Sequence, residues 1–322
     1  MSSTSFGIVF PGQGSQQVGM LAEVASVYPE VMKTFAEASE ILGYDLWQLA
    51  QQGPAVVLGQ TQVTQPLMLV AGVAVWRVWK KAKGADPIWM AGHSLGEYTA
   101  LVCANALAFS DAVGLVEKRA RYMNEAVAEG EGSMAAILGL SAQKIIELCE
   151  MAKNLGPVTP ANFNTPEQTV IGGMKIAVER VAELAKMHGA KKVIPVAMSV
   201  PSHCPLMLPA AERLKADLAH VHFRSPNCLV INNVDVAAMT PISIGDDMLN
   251  NQIRDALFRQ MYHPVRWVEV IQAAVGSGIT RLIELGSGKV LSGLNKRIAP
   301  DIQSMSVQDI TSLHQALEEF SL

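Results

Sequence analysis

The chain has 322 residues, of which 50 % are apolar and 17 % charged, a balance that builds a large buried core and excludes a disordered polypeptide. Its formal charge of −4, with no long basic run, argues against nucleic acid as the main partner. The opening residues MSSTSFGIVFPGQG do not read as a signal peptide, and Cys103, Cys149, Cys204 and Cys228 form no C-x-x-C pair that would signal a zinc site or disulfide framework, so a reducing cytoplasm is expected.

In chain order, FGIVF reads as a short buried strand closed by the turn PGQGSQ. Helical patterns follow over about 20–41 and 64–82. The second contains PLMLVAGVAVWRVW, residues 66–79, which is interrupted by Arg77 and too short to cross a bilayer; a buried helix is predicted and a membrane is not. PIWMAG (87–92) is predicted as a strand running into a turn at Ser94, with LGEYTALVCANAL as the helix leaving it. Between about 133 and 198 the pattern is strand, helix, two strands about a turn, helix, strand. That β-α-β-β-α-β order is ferredoxin-like. It predicts a subdomain over 131–198 inserted into a larger, discontinuous α/β domain formed by 1–130 and 199–322. Helical patterns near 205–220, 247–261, 264–277 and 289–299 then alternate with strands such as CLVIN and TRLIEL. Such alternation predicts a mostly parallel sheet with helices on both faces.

The chemistry centres on MAGHSLGEYTALV, residues 90–102, where Ser94 stands in G-x-S-x-G between a strand and a helix. A sharp turn of this kind exposes the hydroxyl above the sheet, and the new helix offers its first N–H groups, Leu95 among them, to an oxyanion. A serine nucleophile needs a base. His93 adjoins Ser94 but neighbours on a tight turn point apart, so a supporting role is expected. His188, His220, His222 and His314 lie in polar helical surroundings and read as solvated, and His263, before a proline, reads as a cap or loop residue. His203 in SVPSHCPLM sits in a Pro-punctuated turn between an apolar run and a helix, the loop setting in which a rigid scaffold presents catalytic groups.

The acceptor for the other histidine nitrogen is open at this point: Asp217, Asp235, Asp246 and Asp247 are candidates by position, and a backbone carbonyl would serve as well. Arg119, in LVEKRARYMNEA, is either a solvated helix charge or a bidentate clamp for a carboxylate; Lys118 and Arg121 read as solvated. FPGQG lacks dinucleotide-binding spacing and is available to deliver a second oxyanion donor, and GSGKV (286–290) reads as a strand-to-helix turn rather than a phosphate loop.

Taken together, FPGQGSQ, GHSLGEYTALV, VEKRARYM, GSMAAILGL, NFNTPEQTVIGG, SVPSHCPLM, NNVDV, RQMYHPVRW and LGSGKVLSGLNKRI, in this order, make the chain resemble the bacterial malonyl-CoA:acyl-carrier-protein transacylases over essentially its whole length. The resemblance implies an α/β-hydrolase-like domain with a parallel sheet core and an inserted ferredoxin-like subdomain. It implies that Ser94 is the nucleophile, His203 its base, and Arg119 the ligand of the malonyl carboxylate. The N–H groups of Gln13 and Leu95 would form the oxyanion hole, the carbonyl of Gln260 would orient His203 in place of a triad acid, and Asn162 would contact the pantetheine arm. Malonyl-CoA and holo acyl carrier protein would be the substrates in a ping-pong transfer for fatty-acid synthesis, with no metal or other cofactor, by a monomer. An acidic carrier protein would dock on a basic rim drawn from Lys191, Lys192, Lys289, Lys296 and Arg297. Two departures stand out: Ser287 where the family usually has proline, and a longer loop over 237–251. A thioesterase, a polyketide-type acyltransferase and a silent carrier-protein or CoA binder are the rival readings.

Overall fold

The structure, a computed structural model, describes residues 5–198, 200–240 and 246–320. The first stretch of elements is β1 (Phe6–Phe10), α1 (Ala22–Val27), α2 (Pro29–Leu42), α3 (Leu46–Gln52), α4 (Ala55–Leu58), α5 (Thr61–Lys81), β2 (Trp89–Gly92), α6 (Gly96–Cys103) and α7 (Phe109–Glu125). Next come β3 (Gly132–Leu138), α8 (Ala142–Ala152), β4 (Val158–Thr165), β5 (Gln168–Met174), α9 (Lys175–Met187) and β6 (Lys192–Pro195). The last stretch holds α10 (Leu208–Leu218), β7 (Leu229–Ile231), β8 (Ala238–Met239), α11 (Asp246–Gln260), α12 (Trp267–Gly276), β9 (Arg281–Leu285), α13 (Val290–Ile298), β10 (Gln303–Val307) and α14 (Ile310–Phe320).

Two sheets result. The larger has the order β10-β9-β1-β2-β7-β8, parallel throughout except for the short antiparallel edge strand β8. Period-two side-chain alternation puts both its faces to use. Ile8, Phe10, Met90 and Ile283 join the core that holds α2, α5 and α7. Val9, Trp89, Ala91 and Leu282 join a second core on the opposite face with Trp267, Val270 and Ile271 of α12 and Leu291 and Leu294 of α13. The smaller sheet has the order β4-β5-β3-β6, antiparallel throughout. Ala135, Ile137 and Ile171 on one face bury α8 and α9, while Met134, Ala161 and Val170 line the other. Backbone bonds cross between the two sheets' territories: Phe163 N–H donates to Val265 O at 2.9 Å and Val265 N–H to Ala161 O at 2.9 Å, which pins the residue between them, Asn162.

Local chemistry explains where expectation and structure differ. The pattern over 20–41 breaks into α1 and α2 at Tyr28, whose extended backbone (φ −115°, ψ 105°) is what the following Pro29 imposes, because proline disfavours helix at the residue before it. The short helices α3 and α4 went unpredicted, although Asp45 caps α3 by accepting from Gln48 N–H at 2.8 Å. Strand β10 and helix α14 were likewise not expected. Part of the longer loop over 237–251 becomes β8 and the start of α11; its residues 241–245 lie outside the described residues. Helix α5 stays buried along much of its length, and among the described residues no helix is long and apolar enough to cross a membrane.

The GSGKV turn is held by Glu284, a fully buried carboxylate at the end of β9 that accepts from Leu291 N–H at 3.1 Å and Ser292 N–H at 2.7 Å. The first free N–H groups of α13 are therefore satisfied by the protein's own carboxyl oxygens. Glu284→Ala leaves those buried N–H groups without an acceptor and is expected to lower the unfolding free energy by about 2–4 kcal/mol, readable as a shift in the urea midpoint.

Candidate active site

The site begins with the turn between β2 and α6. Ser94 has φ of +52°, a conformation strained for a residue with a side chain. Both flanking glycines are required sterically. A β-carbon on Gly92 would lie 1.8 Å from the carbonyl carbon of Gly96, and one on Gly96 would lie 2.1 Å from Phe10 O. The turn is tied down by Gly96 N–H to His93 O at 2.9 Å, Glu97 N–H to Ser94 O at 3.1 Å, and Ser94 N–H to Asn233 Oδ1 at 2.7 Å.

His203 comes to this turn from 109 residues away in the chain, its Nε2 2.7 Å from Ser94 Oγ. Its own φ is +60° and its N–H donates to Met261 O at 3.1 Å. The Nδ1 atom lies 2.7 Å from the backbone carbonyl of Gln260. A carbonyl only accepts, so Nδ1 carries the proton and Nε2 presents its lone pair to the serine. That is the tautomer a general base needs. Burial, reinforced by the charge of Arg119, pushes the His203 pKa down to about 3, so the imidazole is neutral at physiological pH.

Of the candidate aspartates, Asp217 and Asp235 are engaged elsewhere. Asp217 accepts from Lys118 and from Tyr122 Oη at 2.8 Å, so Lys118 is ion-paired and not simply solvated. Asp235 pairs with Arg259. Asp247 is exposed, and Asp246 sits at the start of α11. Arg121 faces Glu117 on the helix surface at 3.6 Å. His93 turns away from the serine: its Nε2 is 2.9 Å from Asn164 Oδ1 and its ring 5.4 Å from that of Trp267. His188, His220, His222, His263 and His314 lie outside the cavity that holds Ser94.

Arg119, which pattern alone left between a surface charge and a clamp, is 1 % exposed. Helix α7 directs it inward to Gln65 Oε1 through Nη1, to Gln260 Oε1 at 3.0 Å through Nη2, and to Ser94 Oγ at 3.4 Å. Its Nε–H meets no acceptor at hydrogen-bond distance. Two neutral amides hold the cation, and among the described residues no carboxylate meets it at hydrogen-bond distance. Gln65 is oriented in turn by donating to Met123 Sδ at 3.3 Å, which leaves its carbonyl oxygen for the guanidinium.

A cavity of about 60 Å³ is lined by Ser94, His203 and Arg119 together with Gln13, Leu95 and Asn162. Met123, Met134 and Met198 supply much of its apolar wall. Gln13 is anchored by its side chain to Gly59 O at 3.2 Å, and the turn it belongs to presses on the serine turn: a β-carbon on Gly12 would lie 2.6 Å from His93 O. The site is thus assembled from the end of β1, the β2 turn, α5, α7, the segment before α10 that carries His203, the end of α11 and β4. Residues the sequence reading assigned no role are Gln65, Glu97 and Asn233. Glu97 carried one signal, a lone acid in the otherwise apolar helix LGEYTALVCANAL.

The chain is similar to known proteins over nearly its whole length. The model of the acyl transferase domain family matches residues 8–297. The chain is 52 % identical over 316 residues to the malonyl CoA-acyl carrier protein transacylase of Haemophilus influenzae, covering 98 % of each chain. It is similar to the solved malonyl CoA-acyl carrier protein transacylase of Coxiella burnetii, with 48 % identity, a TM-score of 0.94 and 99 % of each chain covered. It is also similar to a malonyl-transacylase solved in complex with a type II polyketide synthase acyl-carrier protein, with 49 % identity, a TM-score of 0.94, and 98 % of this chain and 100 % of that one covered.

The neutral, buried His203 has a consequence for stability. Its folded pKa lies below its unfolded value of 6.5, so the unfolded chain binds the extra proton and stability falls as pH drops through 6.5 towards 3. Each pH unit in that window removes about 1.4 kcal/mol. Between pH 7 and pH 5 the wild-type protein is expected to lose roughly 2 kcal/mol more than His203→Gln does; denaturant titrations at the two pH values measure it, and parallel losses would refute the assignment.

Proposed function

The chain belongs to the acyl transferase domain family and is an acyltransferase, and from that premise we propose that it carries malonyl from malonyl-CoA to the phosphopantetheine thiol of an acyl carrier protein through an ester on Ser94. The observation that carries the reading is a serine engaged by a neutral histidine with a buried guanidinium 3.4 Å from its oxygen. The first pair forms an acyl ester; the guanidinium selects an acyl group that ends in a carboxylate. The names of the relatives supply the malonyl group and the carrier protein.

In the proposed first half-reaction, His203 Nε2 takes the Ser94 Oγ proton as Oγ attacks the thioester carbonyl. The oxygen of the tetrahedral intermediate is held by the N–H groups of Leu95 and Gln13. Ser94, Gly96 and Glu97 N–H already donate within the protein, which leaves Leu95 as the turn's donor to substrate. The intermediate collapses by breaking the carbon–sulfur bond, and the CoA sulfur leaves with the proton from His203. In the second half, the carrier thiol gives its proton to His203, its sulfur attacks the malonyl ester, and Ser94 Oγ recovers the proton as the ester bond breaks. Throughout, the Gln260 carbonyl keeps Nδ1–H in place and stabilises the transient imidazolium. Asn162, 8 % exposed on β4 and beside the cavity, is suited to hold the amide-bearing pantetheine arm. The same reading has the chain act as a monomer without a cofactor, and four buried free cysteines fit a cytoplasmic setting.

The two sheets support a division into an α/β-hydrolase-like catalytic domain, 1–130 with 199–322, and a ferredoxin-like subdomain, 131–198, with the acyl cavity between them. Exposed Lys289, Lys296 and Arg297 on or beside α13 form the proposed carrier-docking rim, and Arg297 reaches across to Gln168 Oε1 at 3.3 Å. Lys191 contributes less because it is paired with Glu167 at 3.0 Å.

Intact mass spectrometry tests the reading. Brief mixing with malonyl-CoA should add one malonyl to the wild type and none to Ser94→Ala, and holo carrier protein should then collect it; decay to free malonate instead would mark a hydrolase, and no adduct a binding protein. Arg119→Ala should lose malonyl transfer by roughly 10²- to 10³-fold in kcat/KM, the scale of a buried charge contact, while accepting acetyl-CoA better than wild type does; an unchanged malonyl preference would refute the clamp. Charge reversal at Lys289 and Arg297 should raise KM for carrier protein, and that KM should rise with salt; insensitivity to both would place the docking rim elsewhere.

A further inference from the structure

Glu97 lies outside the catalytic assignments above, yet the hydrogen bonds of the site converge on it. It is fully buried, three residues past the nucleophile in the first turn of α6, and it does not line the acyl cavity. Its Oε2 accepts from two donors at once, Asn233 N–H at 2.9 Å and Gln260 Nε2–H at 2.8 Å. Each of those residues holds part of the reacting set. Asn233 takes the Ser94 N–H on its Oδ1 at 2.7 Å and gives its Nδ2–H to Gly92 O at 2.8 Å, gripping the serine turn on both sides. Gln260 binds Arg119 through Oε1, Ser94 O through Nε2 at 3.0 Å, and His203 Nδ1–H through its backbone carbonyl.

From this convergence we infer that Glu97 is a positioning residue for the transfer reaction: one acceptor oxygen sets the spacing between the serine turn, the carbonyl that orients the base, and the amide that holds the clamp. The inference rests on the acyl-transfer reading of the same site. Three chain segments meet at that oxygen, from α6, from the loop after β7 and from the end of α11. Asp235 and Arg259 tie the loop after β7 to the end of α11 on the exposed side, while both segments reach the serine turn through Asn233 and Gln260, the two residues that Glu97 holds. Donor geometry is fixed too: with Nε2 facing two acceptors, the Gln260 amide has its oxygen left for the Arg119 donor. Burial raises the Glu97 carboxyl to about 7 against the opposing effects of Gln260, Asn233 and Arg119, so the group sits between its two protonation states near neutrality. A protonated carboxyl still offers an acceptor oxygen to both donors. The position of the oxygen, rather than its charge, is what the site uses.

Two substitutions separate position from charge. Glu97→Gln keeps an acceptor oxygen in place and removes the charge; Glu97→Asp keeps the charge and withdraws the oxygen by one methylene. Both are compared with wild type, on protein shown by cooperative thermal unfolding to be folded, in two assays: the rate at which an uncharged fluorophosphonate labels Ser94, and kcat and KM for malonyl transfer. Glu97→Gln is expected to stay within about tenfold of wild type in both rates. Glu97→Asp is expected to fall by about 10- to 100-fold in labelling rate and in kcat, the scale for loss of a residue that orients reacting groups, with KM for malonyl-CoA changed less than threefold. The reverse order, equal impairment, or wild-type rates in both variants would each overturn the inference. Should Glu97→Asp not fold, Glu97→Gln decides alone, a loss beyond tenfold overturning it. The labelling assay does not depend on the acyl donor, so wild type that labels yet takes no malonyl would refute the transacylase reading and leave the test of Glu97 intact.

Discussion

A guanidinium removed from water is the constraint around which this site is arranged. Arg119 is 1 % exposed, and taking such a charge out of solvent costs several kcal/mol unless hydrogen bonds and nearby charge offset it. The protein offsets it with the amide oxygens of Gln65 and Gln260 and with the face of the Tyr98 ring 5.5 Å away. Among the described residues no carboxylate meets it at hydrogen-bond distance. The cation is left open to an anion in the cavity it lines, and the same field helps keep His203 unprotonated.

The serine and histidine that meet beside it both occupy left-handed backbone conformations, each costing on the order of 1–3 kcal/mol. Such strain persists because the surroundings leave no room to relax. Gly92 and Gly96 allow backbone to approach backbone at distances any β-carbon would forbid, and Asn233 fastens the turn from the far side. His203 is fixed by hydrogen bonds from its N–H and its Nδ1 to consecutive residues, Met261 and Gln260. With the oxygen–nitrogen distance set at 2.7 Å, proton transfer needs little reorganisation.

The smaller sheet contributes a wall of this site. Its bonds through Val265 to Ala161 and Phe163 hold Asn162 beside the cavity and Asn164 against His93. The cavity lies between that wall and the serine turn, so the junction of the two sheets shapes its approach as well as its floor.

Much of this was legible in the residue order. Short continuous apolar runs in FGIVF and PIWMAG specify strands buried on both faces, and G-x-S-x-G after a strand specifies the turn, because only glycine tolerates those contacts. The same local rules explain Ser94 and the β-α-β-β-α-β run. Other features left no local trace. Pattern could not separate Arg119 as a clamp from a surface charge, since burial depends on the helices α2, α5 and α10 that pack around α7. Spacing could not find Gln65, 54 residues from Arg119, or the Glu97 oxygen that joins Asn233 to Gln260. The acceptor for His203 was beyond reach of side-chain reasoning because it is a main-chain carbonyl, which every residue possesses. Local sterics and hydrophobic period determined the elements and the nucleophile. Which groups touch, and hence which proton sits on which nitrogen, was decided by packing between segments far apart in the chain, where hydrogen-bond distance and burial, rather than sequence neighbours, set the energy.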